Sequence, residues 1–92
     1  GIFMENMIVV KIVISDESLN VKIQDASKKE LAVYGSKRID KITSDMEAVM
    51  VTKKALEKKE IKEFDLEFSS DDENFTRDKV KEKFEELGFN VK

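Results

Sequence analysis

Residues 44–72, SDMEAVMVTKKALEKKEIKEFDLEFSSDD, decide the fold of this chain. The first half predicts a helix that begins with a capping box, in which Ser44 and Glu47 each bond the other's backbone N–H. The second half alternates apolar Phe64, Leu66 and Phe68 with polar residues, which is the period of a strand with one covered face. The stretch therefore predicts a helix followed by a strand that ends in two aspartates.

The apolar residues of this helix form stripes at helical spacing. One stripe contains Met46, Val49, Met50 and Leu56. We expect it to pack on the apolar face of the strand that follows, which would bring Met50 close to Leu66.

Three strands are predicted before the helix. Met7–Ile14 is apolar at seven of its eight positions, a pattern typical of a central strand buried on both faces. Residues 21–24 alternate apolar and polar, and residues 31–34 form a third strand that stops at Gly35. Short turns join the three strands, which predicts an antiparallel meander because parallel pairing would need a crossover. Residues 36–43 are interpreted as a loop.

A second helix is predicted after the last strand, with Thr76 as its N-cap and Val80, Phe84 and Leu87 as its apolar stripe. Phe75 is expected to staple onto Val80. Gly88 predicts a Schellman turn that folds Phe89 back on Phe84. The predicted fold class is α/β (α+β), with the order β-β-β-α-β-α and a candidate last edge strand at 89–91.

The length of 92 residues predicts a single domain over residues 1–92. Met4 and Met7 are candidate natural start residues, so residues 1–6 are expected to be flexible or foreign to the natural chain. Because no apolar run reaches the ~20 residues that a membrane span needs, and no signal peptide is evident, we expect a cytoplasmic protein without a membrane partner.

The chain contains neither Cys nor His, which excludes thiol chemistry, zinc fingers and serine–histidine triads. Any metal would have oxygen ligands, as magnesium, manganese and calcium prefer. Basic residues are concentrated in residues 21–41, six against three acids, and Lys28, Lys29, Lys37 and Arg38 are the candidate nucleic-acid contacts. The alternative is that these four side chains are ordinary solvated groups.

Residues 7–75 resemble the ribonuclease H fold. The segment VKIVISDES resembles the first strand of that family with its terminal Asp, TSDMEAV its helix start with a Glu, and EFDLEFSSDDENF its fourth strand with an Asp. The resemblance assigns the three catalytic, metal-binding carboxylates to Asp16, Glu47 and Asp71, with Asp72 as the alternative to Asp71. The fourth carboxylate of the family and its glycine-rich loop have no counterpart here.

The resemblance implies cleavage of RNA in RNA–DNA hybrids with Mg²⁺ or Mn²⁺ as cofactor. Each carboxylate also has an ordinary explanation. Asp16 suits a turn, Glu47 suits the capping box, and Asp71 suits a loop before a helix. Two function classes therefore stay open. The sequence favours a small non-catalytic ribonuclease H-like domain that binds a protein or a nucleic acid. The alternative is a minimal magnesium-dependent nuclease.

A weak homodimer is also expected. The exposed edge of the meander, or the tail at 89–92, would pair with another chain, because an edge strand offers unpaired N–H and C=O groups.

Overall fold

The computed structural model describes residues 7–37, 41–71 and 73–92, with residues 41–45 described by their backbone alone. The predictions made for residues 1–6, Arg38, Asp72 and the Ser44 side chain lie outside this description. The elements in chain order are β1 (Val9–Ile14), β2 (Ser18–Gln24), β3 (Glu30–Lys37), α1 (Lys41–Lys58), β4 (Glu63–Ser70), α2 (Arg77–Glu86) and β5 (Asn90–Val91).

One mixed sheet contains the five strands, in the spatial order β3-β2-β1-β4-β5. The first three strands are antiparallel neighbours, as the short turns between them require. The sheet as a whole differs from the predicted meander, because β4 and β5 are added in parallel on the other side of β1. The protein is therefore an α/β fold with β1 at the centre of its sheet.

Both helices lie on the same face of this sheet. On that face are the even-numbered residues of β1 and β4, those of β3 from Ala32 onward, and the odd-numbered residues of β2, as the strand registers show. Helix α1 packs against β1 and β2, and α2 packs against β4 and β5. The core between the layers contains Val10, Ile12, Val21, Ile23, Leu56, Phe64, Leu66, Val80 and Phe84, all of them buried.

The prediction that β1 is buried on both faces is wrong. Val10, Ile12 and Ile14 are buried, whereas Val13, on the opposite face, is 45% exposed. The apolar pattern identified a central strand correctly, but only one of its faces receives helices in the described part of the chain.

The predicted orientation of α1 is wrong in part, because Val49 and Leu56 of the predicted stripe are buried but Met46 and Met50 are not. Met46 and Met50 are 59% and 48% exposed, and the residues of α1 that face the sheet are Ala48, Thr52 and Leu56. Leu66 is buried, but it lies in the strand that α2 covers. Met50 and Ala48 are two positions apart, which is roughly 200° around a helix of 3.6 residues per turn, so a helix that buries Ala48 turns Met50 away from the sheet.

The beginning of α1 differs from the prediction as well. The helix begins at Lys41, so Ser44 lies inside its first turn and is not the N-cap. The third strand does not stop at Gly35 but continues to Lys37. The predicted loop at 36–43 is correspondingly shortened from both ends.

Helix α2 has the ends that the sequence predicts. The hydroxyl of Thr76 accepts a hydrogen bond from the N–H of Lys79 at 3.3 Å. At the other end Gly88 has a φ of 97°, and the Phe89 N–H donates to the Phe84 carbonyl at 3.1 Å. These bonds form the Schellman turn, and the rings of Phe84 and Phe89 lie 6.0 Å apart between centroids. Leu87, in contrast, is 43% exposed and does not complete the buried stripe.

Arg77 connects β4 to the residue that follows the short strand β5. Its Nε donates to the Leu66 carbonyl at 2.9 Å, and its Nη2 donates to the Lys92 carbonyl at 2.7 Å. A guanidinium can satisfy two carbonyls in this way because its donors form a fixed fork.

Among the described helices, none is long and apolar enough to cross a membrane.

Candidate functional site

Two of the predicted carboxylates follow neighbouring strands at one edge of the sheet. Strands β1 and β4 are parallel, with Ile14 opposite Ser70. The N–H of Asp71 donates to the Ile14 carbonyl at 3.2 Å, so the pairing extends to the first residue after β4. Asp16 follows β1 in the turn to β2 and is exposed, as is Asp71. Because Asp16 follows β1 and Asp71 follows β4, both residues lie at the edge of the sheet formed by the carboxyl ends of these two parallel strands.

The turn that contains Asp16 is ordered by serine hydroxyls. The Ser15 N–H donates to the Ser18 carbonyl at 2.9 Å, and the hydroxyls of Ser15 and Ser18 lie 2.9 Å apart. This is the turn chemistry that the sequence predicts for the segment after β1. The Asp16 carboxylate is not needed to form these bonds.

Glu47, the third predicted carboxylate, contacts β3. Its Oε2 accepts hydrogen bonds from the hydroxyl of Tyr34 and from the hydroxyl of Ser36, the latter at 3.0 Å. Tyr34 and Ser36 are two positions apart on a strand and therefore point to the same, helix-covered face. Glu47 thus joins α1 to the edge strand β3, a role that the sequence does not reveal because Ser44 offered a nearer partner.

The Tyr34–Glu47 contact also changes the acidity of the phenol. The hydrogen bond to the Glu47 carboxylate raises the pKa of Tyr34 above its ordinary value of 10.0, and the nearby Ser36 hydroxyl opposes part of this increase. The cause is that ionised Tyr34 would place two negative oxygens in contact.

The described side chains contain no group of three Asp, Glu, Cys or His placed to hold a metal ion. An all-carboxylate set would suit magnesium chemically, but the structure groups only Asp16 and Asp71 at one edge and engages Glu47 with two hydroxyl donors.

The predicted nucleic-acid contacts are divided between the two ends of β3. Lys28 and Lys29 lie in the turn from β2, where the Asp25 carboxylate accepts hydrogen bonds from the N–H groups of Ser27 and Lys29 at 2.9 and 3.0 Å. Lys37 is the last residue of β3. With a rise of about 3.3 Å per residue, an eight-residue strand separates the two groups by roughly 25 Å.

The site predictions touched the sheet face opposite both helices only at Lys37. We call it the open face, and it consists of the odd-numbered residues of β1 and β4, the even-numbered residues of β2, and, on β3, Glu30 and the odd-numbered residues from Val33 onward. Within the described residues no helix lies on it. Val33 is 64% exposed and Val13 is 45% exposed. The one signal in the sequence was the apolar pattern of Met7–Ile14, which exceeds what a strand with one covered face needs.

Most acids of the open face lie on one strand, and each of them has an ion-pair partner. Strand β4 contributes Glu63, Asp65 and Glu67, and Glu30 lies on β3, whereas the lysines of the face are Lys11, Lys22 and Lys37. Glu67 pairs with Lys11 at 3.9 Å, and Glu30 pairs with Lys22 at 3.1 Å. Asp65 pairs with Arg77 at 3.8 Å, and Glu63 pairs with Lys92 at 3.4 Å. Exposed pairs of this kind are worth ~0–1 kcal/mol each, so they can be rearranged when another surface approaches.

No protein-family model and no curated protein matches this chain. Among solved structures, the chain is similar to a Bacteroides thetaiotaomicron protein with an actin-like ATPase fold and unknown function, with a TM-score of 0.65 and 7% sequence identity. The similarity covers 96% of this chain and 32% of that chain, so this chain spans about a third of the length of the similar protein. At this identity the likeness concerns the fold alone, which is the mixed-sheet α/β architecture described above.

Proposed function

We propose that this chain is a small, non-catalytic domain of the ribonuclease H-like kind that binds a protein partner through its open face. The observation that carries the proposal is the position of Glu47, whose carboxylate is engaged by Tyr34 and Ser36. The resemblance to ribonuclease H assigns this residue to metal binding. In this chain its carboxylate links α1 to β3, which supports a structural role for this residue.

The geometry of this link is unfavourable for metal binding through Oε2, although Oε1 accepts neither of these bonds. Both hydroxyls donate to the same oxygen, Oε2, and a carboxylate oxygen has two lone-pair sites. A metal ion at Oε2 would have to displace at least one donor. The loss would leave Tyr34 or Ser36 without its acceptor on the half-buried side of β3.

The charge of the open face supports a protein partner over a nucleic acid. Its three lysines stand beside four acids, three on β4 together with Glu30, and Lys11 and Lys22 are already paired with Glu67 and Glu30. Phosphate backbones are bound by surfaces with a net positive charge, since affinity depends on neutralising the phosphates. Mixed charge with exposed valines is the surface that protein interfaces use.

The alternative function is a minimal magnesium-dependent nuclease that acts on RNA–DNA hybrids. One observation favours it: the parallel pairing of β1 with β4 places Asp16 and Asp71 at one edge of the sheet. Two carboxylates at one edge would supply part of a site of the two-metal type. In this alternative, Mg²⁺ would be held by Asp16 and Asp71 with Glu47 after release from β3.

A magnesium titration followed by amide chemical shifts separates the two functions, together with a hybrid-cleavage assay in Mg²⁺ and Mn²⁺. The proposal expects no saturable shifts confined to Asp16, Glu47 and Asp71, and no cleavage above that of a Glu47→Gln variant. Saturable shifts at these residues, with cleavage that Glu47→Gln abolishes and Glu17→Gln retains, would replace the proposal by the nuclease. Glu17 is the matched control because it adjoins Asp16 in the same turn.

A further inference from the structure

Strand β3 is a long edge of the sheet. It has eight residues and lies at one end of the strand order, whereas β5, at the other end, has two. A short edge strand offers few backbone groups to another chain, but a long one offers a row of them. Among the described strands, β3 is therefore the one that a further strand can extend.

The strand registers determine which backbone groups of β3 point outward. Backbone groups in an antiparallel sheet point alternately to the two sides of a strand. The Ser18 carbonyl accepts a hydrogen bond from the Ser15 N–H on the β1 side, so its partner Lys37 points its backbone groups away from β2. By the same alternation, the N–H and C=O groups of Gly35 and Val33 point to the outer edge. No strand lies on that side of β3 in the described part of the chain.

The side chains of β3 are complementary to the same strand running in the opposite direction. On the open face, Val33 is 64% exposed, and Gly35 two positions further has no side chain. Tyr34 lies between them on the helix-covered face and is held to α1 by its bond to Glu47. If a reversed copy of β3 places its tyrosine opposite Tyr34, its valine lies next to Gly35 and its glycine lies next to Val33.

We propose that two copies of this chain pair through β3 in antiparallel orientation, about a two-fold axis that passes between their Tyr34 residues and is perpendicular to the sheet. Val33 of each copy then lies opposite Gly35 of the other, and each such pair exchanges both of its N–H···O bonds. The two Tyr34 side chains form a directly opposed aromatic pair, which is a favourable cross-strand combination. The two sheets join into one, and both open faces lie on the same side of it.

The charges of β3 permit this register without selecting it. Lys37 of one copy lies nearest to Glu30 of the other on the open face, so like charges within β3 are not directly opposed. Glu30 already pairs with Lys22 at 3.1 Å, so a second lysine adds little. The register therefore depends on the backbone bonds and on the valine, glycine and tyrosine positions.

Two features of β3 keep the pairing short. The strand has a bulge at Leu31, because Gln24 pairs with Glu30 and Ile23 with Ala32. Bulges and edge lysines such as Lys37 both restrict the pairing of edge strands. The contact is then confined to residues 32–36, about 17 Å of strand at roughly 3.3 Å per residue. We expect a dimer that forms at high concentration and dissociates on dilution, because so short a contact buries less than the ~1,200 Å² of stable interfaces.

This pairing is independent of the proposed function, because it leaves both open faces available to another protein. Sedimentation equilibrium of the whole chain from micromolar to millimolar concentration measures the dimer. Amide hydrogen exchange locates it: the N–H groups of Val33 and Gly35 should exchange more slowly at the highest concentration than at the lowest. The N–H groups of Tyr34 and Ser36, which point toward β2, should be protected at both. In a mixture of isotope-labelled and unlabelled protein, filtered NOE contacts should join Val33 of one copy to Gly35 of the other.

Val33→Lys is the informative variant. A lysine here disfavours edge pairing and brings two like charges together beside the two-fold axis, so we expect the dimer to weaken at least about tenfold. Val13→Lys is the matched control, because Val13 is 45% exposed on the same open face but lies in the central strand β1. That variant should dimerise like the wild type. Circular dichroism verifies that both variants fold.

Three results would exclude this pairing. The first is a wild type that remains monomeric over the whole concentration range. The second is a dimer that Val33→Lys leaves intact, or that Val13→Lys also disrupts, as docking through the open face would require. The third is a dimer in which the Val33 and Gly35 amides stay unprotected, or in which the filtered contacts join other residues. None of these results contradicts the proposed function, which the magnesium titration and the cleavage assay test separately.

Discussion

The hydroxyl of Tyr34 donates a hydrogen bond to the carboxylate of Glu47, and this contact joins the edge strand β3 to α1. The two residues are 13 positions apart and lie on either side of the connection between β3 and α1. Ser36 donates to the same carboxylate oxygen, so Glu47 serves as the acceptor for two side chains of β3. The carboxylate that the family resemblance assigns to metal binding therefore links a helix to a strand.

The first prediction concerns the acidity of Tyr34, which is the only tyrosine in the chain. Ultraviolet titration of phenolate absorbance therefore reports on this residue alone. We expect a midpoint above the ordinary value of 10.0, because the Glu47 carboxylate holds the phenol protonated. Glu47→Gln should lower the midpoint, whereas Ser36→Ala should not lower it. A wild-type midpoint at or below that of Glu47→Gln would contradict the contact.

The same contact predicts a loss of stability at alkaline pH. The folded-state pKa of Tyr34 is raised above its unfolded value, so its contribution is fully present below the unfolded pKa of about 10 and is lost as pH rises through the folded pKa. Thermal melts at increasing pH should therefore show a steeper decline for the wild type than for Tyr34→Phe. Equal slopes for the two proteins would show that Tyr34 does not contribute this linkage.

The third prediction concerns the core under α2. Leu66 is 2% exposed, and Leu66→Ala should lower the free energy of unfolding by about 2–5 kcal/mol through lost burial and the cavity left behind. Val33→Ala is the control, because Val33 is 64% exposed and its truncation should change stability by less than about 0.5 kcal/mol. Urea denaturation measures both. A cost below about 1 kcal/mol for Leu66→Ala would mean that this face of β4 is not covered.

A stabilising substitution is predicted at the end of α1. Glu60 has a φ of 57°, and the N–H of Ile61 donates to the Leu56 carbonyl at 3.0 Å, which together form a Schellman turn. Glycine adopts this left-handed conformation without steric cost, so Glu60→Gly should raise the free energy of unfolding by about 0.5–1 kcal/mol. Glu60→Ala keeps the Cβ atom and should not reproduce this gain. Destabilisation by glycine would show that the Glu60 side chain has a role that the turn does not explain.

Local chemistry in the sequence was sufficient to predict most elements. Period-2 alternation identified β2 and β4, Thr76 and Gly88 fixed the ends of α2, and the short turns required β1, β2 and β3 to be antiparallel neighbours. These features depend on residues within a few positions of one another. The beginning of α1 was predicted wrongly because the Ser44–Glu47 spacing fits a capping box, although Glu47 bonds to a strand instead.

The tertiary structure alone decided how the elements are arranged. The parallel placement of β4 beside β1 brings Asp16 and Asp71 to one edge, and it depends on a crossover through α1 that no local pattern encodes. The two apolar faces of β1 were visible in the sequence, but which face receives both helices is set by packing among distant residues. For the same reason Met46 and Met50 are exposed, because the burial of a helix stripe depends on what lies beneath it rather than on its own periodicity.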